Sequence, residues 1–258
     1  MQNLKLTLVQ AEQYWERKEE NLAHYESLLH KIEATDIIVL PEMFHTGFTM
    51  NAVDLAEEGE EGMALTWLRK MSQEKNAAFY TSYIAKEDEF YFNRGVFVEP
   101  NGRITIYNKR KLFTLASEEK TFKAGKVKSR ILYKGWKIQF QICYDLRFPE
   151  ISRNGMVDHK SAKFDVLLYV ANWPERRNSH WNALLQARAI ENQCYVVGVN
   201  RVGKDGKELT YSGDSSVYNA NGSLISNIPS SQEMVETVTL SYNELVDFRT
   251  SLPFLKDS

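Results

Sequence analysis

The chain has 258 residues, of which 43% are hydrophobic and 26% charged, with a formal net charge of −2. That length suits one large domain or two ordinary ones and buries roughly three quarters of the unfolded surface, so folding requires neither disulfide nor metal. The near-neutral balance gives no expectation of nucleic acid or an anionic membrane as partner, and the two cysteines, Cys143 and Cys194, offer neither a disulfide framework nor a zinc site.

Leu4, Leu6 and Leu8 alternate as in a half-buried strand, and the first ten residues lack a secretory hydrophobic core. No apolar run reaches membrane-spanning length, so a cytoplasmic, reduced protein is expected. Residues 12–34 read as a helix with Trp15, Leu22, Tyr25, Leu29 and Ile32 on one face. Residues 36–40 form a short apolar strand of the kind covered on both faces. A second helix spans 61–75 with Leu65, Leu68 and Met71 inward. Strands follow at 77–85, 91–99 and 103–107, the last two joined by Asn101-Gly102, a strong hairpin signal.

The second half repeats this alternation. A strand over 136–143 alternates Ile138, Phe140 and Ile142, and 153–163 reads as a polar surface loop. A buried strand at 164–170, a helix at 178–192 with Trp181, Leu184 and Leu185 inward, and a strand at 195–199 follow. A hairpin over 211–226 turns at Asn221-Gly222, and 233–240 is the last strand. The acceptor pattern Asn221-Gly222-Ser223 reads as that turn rather than a glycosylation site. His24, His30, His45, His159 and His180 form no metal-ligand pair on a plausible helix face. The alternation predicts a layered α/β domain, helices outside and sheets inside.

Three reactive side chains sit where apolar strands end: Glu42, Lys109 and Cys143. Ligands gather at such carboxyl ends of strands. A thiolate is the nucleophilic form of a thiol whose free pKa is about 8.5. A cation about 4 Å away attracts it by roughly 4 kcal/mol at an effective dielectric near 20, so Lys109 is expected to favour the thiolate. Glu42 suits the acceptance of the thiol proton, its delivery to a departing nitrogen, and the activation of water. Lys109 and the Tyr144 N–H suit the oxygen that becomes negative. Taken singly, each residue has an ordinary alternative: a strand-end cysteine is usually small core, and a strand-end glutamate or lysine is usually solvated.

The surrounding residues are more specific. Leu40-Pro41-Glu42-Met43-Phe44, Tyr107-Asn108-Lys109-Arg110-Lys111-Leu112-Phe113 and Cys143-Tyr144-Asp145-Leu146-Arg147-Phe148-Pro149-Glu150 resemble, in order, the three signature segments of the nitrilase-like carbon–nitrogen hydrolase family. The resemblance extends through residues 171–174, 187–193, 200–203 and 211–215, nearly the whole chain. It implies a single domain over 1–258, a four-layer α-β-β-α sandwich of the nitrilase type, and pairing into a homodimer or higher homo-oligomer. It also implies Glu42, Lys109 and Cys143 as the catalytic set, acting on a small-molecule amide without metal or organic cofactor. A second glutamate of the family corresponds by position to Glu118, with Glu119 as the competing choice. The family often carries histidine where this chain has Lys111, a departure whose expected effect is local.

Within the family, residues 171–177, 187–193, 200–203, 211–215 and 248–254 resemble the bacterial omega-amidase branch. That branch hydrolyses the terminal amide of 2-oxoglutaramate and 2-oxosuccinamate to the dicarboxylate and ammonia. A substrate with a far carboxylate requires a cation, for which Arg176 and Arg177 are the candidates, and Phe44, Phe48 and Trp173 are candidate pocket walls. Arg188 is expected in a buried ion pair, with Glu191 as one partner, and Cys194 in the core. The competing readings are a nitrilase, a carbamoylase or another small-amide hydrolase of the same fold, and a catalytically silent interaction subunit. The presence of all three reactive residues speaks against the last.

Overall fold

The computed structural model describes residues 2–30, 32–157 and 161–257. The elements that position the site are, in chain order, β1 (Leu4–Gln10), α1 (Lys18–Leu29), β2 (Ile37–Val39), α2 (Met63–Lys75), β3 (Ala78–Glu87), β4 (Phe90–Val98), β5 (Ile104–Asn108), β6 (Arg130–Tyr133), β7 (Trp136–Ile142), β8 (Val166–Ala171), α3 (Asn178–Asn192), β9 (Tyr195–Asn200), β10 (Ser216–Tyr218), β11 (Met234–Leu240) and α4 (Tyr242–Ser251).

Two sheets form the centre. The first has the order β11-β1-β2-β3-β4-β5, parallel through β1, β2 and β3 and antiparallel outward from them. The second has the order β10-β9-β8-β7-β6, with β8 parallel to both neighbours. Period-two alternation explains how they stack. Ile37 and Val39 of β2 join the cluster shared with Ile138, Phe140, Val166 and Leu168 of the second sheet, while Ile38 points to α1 and α2. Tyr80 and Phe97 of the first sheet stack on Phe140 of the second, with centroids 4.6 and 5.3 Å apart. On the outer faces, Leu22, Tyr25 and Leu29 of α1 and Leu68 and Met71 of α2 cover the first sheet. Trp181, Leu185 and Ala189 of α3 cover the second. The result is the four-layer α-β-β-α sandwich.

Several local expectations differ from the structure. The helix expected over 12–34 starts only at Lys18, because Asn21 folds the preceding chain back. Its side chain accepts from Tyr14 N–H at 2.8 Å and donates to the carbonyls of Tyr14 and His45 at 2.6 and 2.9 Å. Trp15 therefore lies outside the helix and packs on Gly206, where an added Cβ would come within 2.6 Å of the indole. The stretch 153–163 carries a short antiparallel pair, Met156–Val157 with Ser161–Ala162; residues 158–160, including His159, lie outside the described residues. Of the hairpin expected over 211–226, the turn at Asn219–Gly222 forms, but 210–212 pairs with Val202–Lys204 instead. β6 and α4 carried no clear period in the sequence; α4 buries only Leu245 and is capped by Ser241, whose hydroxyl accepts from Glu244 N–H at 3.3 Å. Among the described residues no helix is long and apolar enough to cross a membrane.

Gly198 tests the contact between α3 and the second sheet. A Cβ there would fall 2.5 Å from Leu185 and 2.7 Å from Trp181. Gly198→Ala is expected to destabilise the protein by about 1–3 kcal/mol through overpacking, read by urea unfolding. Unchanged stability would show that α3 does not pack as described.

Candidate active site

The carboxyl ends of β2, β5, β7 and β8 meet at one place, bringing together Glu42, Lys109, Cys143 and Asn172. Sharp turns present two of them. Met43, next to Glu42, has φ 46°, and Cys143 itself has φ 43°, a left-handed conformation that is costly for a side chain other than glycine. A single turn of 3-10 helix, Cys143–Arg147, follows the cysteine. This strand-to-turn placement brings the sulfur to the edge of a pocket.

Glu42 is fully buried and held by five donors from four residues. Its Oε1 accepts from Lys109 Nζ at 2.9 Å and Asn93 Nδ2 at 2.7 Å, and its Oε2 accepts from Asn172 N–H at 2.8 Å. Its backbone carbonyl accepts from Asn172 Nδ2 at 2.6 Å and Gln13 Nε2 at 3.1 Å. Asn200 fixes the segment that supplies Asn172, accepting from Trp173 N–H at 2.8 Å and donating to the Trp173 carbonyl at 2.9 Å.

Lys109 Nζ also donates to Glu118 Oε1 at 3.0 Å, and Glu118 Oε2 accepts from Phe113 N–H at 2.6 Å. Glu118 is buried against Lys109, whereas Glu119 is exposed. Burial disfavours the charge on Lys109, but Glu118 and Glu42 outweigh it and hold its pKa above the ordinary lysine value. Burial raises the Glu118 pKa, opposed by Lys109 and reinforced by Glu42.

The cysteine reverses one expectation. Burial pushes the Cys143 thiol well above its usual pKa, Glu42 adds to that, and Lys109 only partly opposes it. Burial above all therefore favours the thiol over the thiolate, and Glu42 with Glu118 outweighs what Lys109 contributes at the sulfur. Cys143 Sγ lies 3.9 Å from the Asn172 carbonyl.

The pocket above these residues holds about 170 Å³, and Phe48, Lys109, Cys143, Tyr144, Trp173, Arg176 and Arg177 are among its walls. Phe48 lies 5.1 Å from Lys109 Nζ. Arg177 sits 5.3 Å over Phe113, and Arg147 4.6 Å over Trp173. Phe44 does not belong to this group. It packs under the helices against Tyr25 and Trp67, at 5.9 and 5.6 Å, because the turn at Met43 directs it away from the pocket. Lys111 lies beyond the end of β5, paired with Glu150 at 2.9 Å. Arg188 is buried, bonded to Glu191 at 3.0 Å and to the Leu146 carbonyl at 2.7 Å; Cys194 is in the core. Among the described residues no cluster of His, Cys, Asp or Glu suits a metal ion.

Asn93, Asn172 and Arg147 were not anticipated. An asparagine in the apolar run of β4 was one available signal, and Asn172 obeys the same strand-end rule as the other three.

The carbon-nitrogen hydrolase family model matches residues 5–250. The chain belongs to the carbon–nitrogen hydrolase family. This hydrolase is 41% identical to omega-amidase YafV of Yersinia enterocolitica over all of its own length and 98% of the relative's. It is 29% identical to 2-oxoglutaramate amidase of Bacillus subtilis over 92% of its length and 91% of that protein's. Its fold matches XC1258 of Xanthomonas campestris, a CN-hydrolase superfamily protein with an arsenic adduct in the active site, with a TM-score of 0.97 and 38% identity over 100% of this chain and 98% of the other.

In the folded hydrolase, iodoacetamide is expected to label Cys143 at the pocket and to spare Cys194, which is fully buried. The Cys143 rate should still climb above about pH 8.5, since only the thiolate reacts. Peptide mass spectrometry across pH reads both. A rate that plateaus near neutrality would contradict the resting thiol.

Proposed function

We propose that this hydrolase is an omega-amidase that cleaves the terminal amide of 2-oxoglutaramate or 2-oxosuccinamate through a thioester on Cys143. The observation that carries the chemistry is Glu42, bonded to the Lys109 ammonium and acting on the Cys143 thiol at the pocket edge. The full-length similarity to omega-amidase YafV supports the substrate class.

Each step follows from this geometry. The Cys143 sulfur attacks the amide carbon as its proton passes to Glu42, so a high thiol pKa is no obstacle: nucleophile and base act together. An ammonium has three N–H donors. Glu42 and Glu118 take two from Lys109, which leaves the third for the carbonyl oxygen as it becomes negative. The Tyr144 N–H is the second donor to that oxygen. One such donor is worth on the order of 10²–10³ in rate. Glu42 then protonates the nitrogen, the C–N bond breaks and ammonia leaves. Water attacks the thioester and gives a proton to Glu42. The C–S bond breaks, and Glu42 returns a proton to the sulfur. Glu118 keeps Lys109 charged and in place.

Arg176 and Arg177 bind the far carboxylate of the substrate. Burial, then Arg176, disfavours the charge on Arg177 and lowers its pKa; an incoming carboxylate relieves that tension. Phe48, Tyr144 and Trp173 wall the apolar middle of the pocket. The same reading carries one catalytic domain and a cytoplasmic homodimer or higher homo-oligomer, for which the exposed Ile190, Leu224 and Phe254 offer apolar surface.

Ammonia release is expected to be fastest from 2-oxoglutaramate in a panel with glutamine, a carbamoyl amino acid and a simple nitrile. Arg177→Ala should raise KM for 2-oxoglutaramate roughly 10- to 100-fold, the loss of a hydrogen bond to a charged group. Equal or better turnover of another panel member would replace the omega-amidase reading with a carbamoylase, a nitrilase or another amidase.

A further inference from the structure

Asp145 is fully buried two residues beyond Cys143, and among the described residues it forms no ion pair. Three neutral donors converge on it instead. Its Oδ2 accepts from Tyr107 O–H at 2.7 Å and Ile142 N–H at 2.9 Å, and its Oδ1 accepts from Lys111 N–H at 2.9 Å. Tyr107 and Lys111 flank Lys109 by two residues on either side, and Ile142 immediately precedes Cys143. One carboxylate therefore ties the lysine segment of the first sheet to the nucleophile turn of the second. The turn needs such a hold, since Cys143 at its start is left-handed. Its far end is held separately, by Arg188 on the Leu146 carbonyl at 2.7 Å.

We propose that Asp145 is a positioning residue whose ionised carboxylate holds Cys143 in register with Lys109, so that turnover falls when this carboxyl is protonated. The proposal rests on the reading of Cys143 and Lys109 as catalytic partners. A carboxylate accepts only, whereas its protonated form places an O–H among three donors and loses an acceptor for at least one of them.

The surroundings set where this happens. Burial drives the Asp145 pKa up to about 6, while the bonds from Ile142 and Tyr107, the charge of Lys109 and the bond from Lys111 restrain it. The other titratable groups that feel it are the hydroxyls of Tyr80, Tyr107 and Tyr169, whose own pKa values burial raises. Well above about pH 6 the carboxylate is ionised and the hold is in place; as pH falls through that value the proton binds and the register loosens. The Tyr107 bond lowers this pKa, so removing it must move the loss to higher pH.

The test is kcat against pH for the wild type, Tyr107→Phe and Asp145→Asn, with whichever amide of the panel is turned over fastest. Tyr107→Phe is expected to shift the acid limb of kcat upward by roughly one pH unit, the loss of one hydrogen bond to a charged acceptor. Asp145→Asn is expected to lack that limb and to turn over on the order of 10²-fold more slowly at pH 8, the usual consequence of a small misplacement of reacting groups. Thermal unfolding checks that each variant folds, and Tyr107→Phe carries the test if Asp145→Asn does not. An acid limb in Tyr107→Phe that coincides with the wild type, or full kcat in Asp145→Asn, would overturn the proposal. Neither result depends on which amide is the substrate, so failure here is distinct from failure of the omega-amidase reading.

Discussion

A lysine ammonium shut away from water between two carboxylates is the constraint on which this site depends. Lys109, Glu42 and Glu118 are all buried, and each alone would be costly to hold as an ion. Together, with Asn93 donating to both carboxylates at 2.7 and 3.2 Å and Phe113 N–H closing Glu118, they satisfy one another. Breaking such a set by removing one partner costs roughly 3–5 kcal/mol, since the remaining charge is left unpaired. The group therefore has one arrangement, and that arrangement fixes the ends of β2 and β5 and the loop that carries Glu118.

The same constraint shapes the chemistry of the sulfur. A lysine facing the thiol alone would draw out its proton. Here burial, together with the two carboxylates, outweighs the lysine and pushes the thiol pKa up. In the proposed mechanism reactivity then comes from position: Glu42, the proposed base, is already held in place by Asn172 N–H and by the shared lysine. A thiol of this kind stays quiet until an amide carbon is in reach. That is a sensible arrangement for a pocket open to other electrophiles.

Much of this was legible in the sequence, and what was not has physical causes. The wholly apolar Ile37–Val39 reported two-sided burial, and the structure places it so, whereas Leu4, Leu6 and Leu8 marked only the inner face of β1: its other face is covered too, with Thr7 and Val9 fully buried and only Lys5 exposed. Strand ends drew attention to Glu42, Lys109 and Cys143, but singly each had an ordinary alternative, and it was the residues around them that made the set specific. The boundary of α1 was hidden because Trp15 and Ile32 happen to continue its period, while Asn21 decides the start through bonds to residues on both sides in space. Phe44 was misplaced for a similar reason: its neighbour Met43 is left-handed, and no pattern of residue types encodes that turn. The thiolate expectation considered only the attraction between Lys109 and Cys143, whereas burial of the sulfur, followed by the charges of Glu42 and Glu118, drives its pKa up.

The most direct test of the account is to look for the acyl group itself. Rapid acid quench during turnover of 2-oxoglutaramate, followed by peptide mass spectrometry, should find the acyl mass on the peptide that contains Cys143, and Cys143→Ala should show neither adduct nor ammonia release. Ammonia release that persists in Cys143→Ala, or an adduct on another residue, would contradict the assignment of this sulfur as the nucleophile.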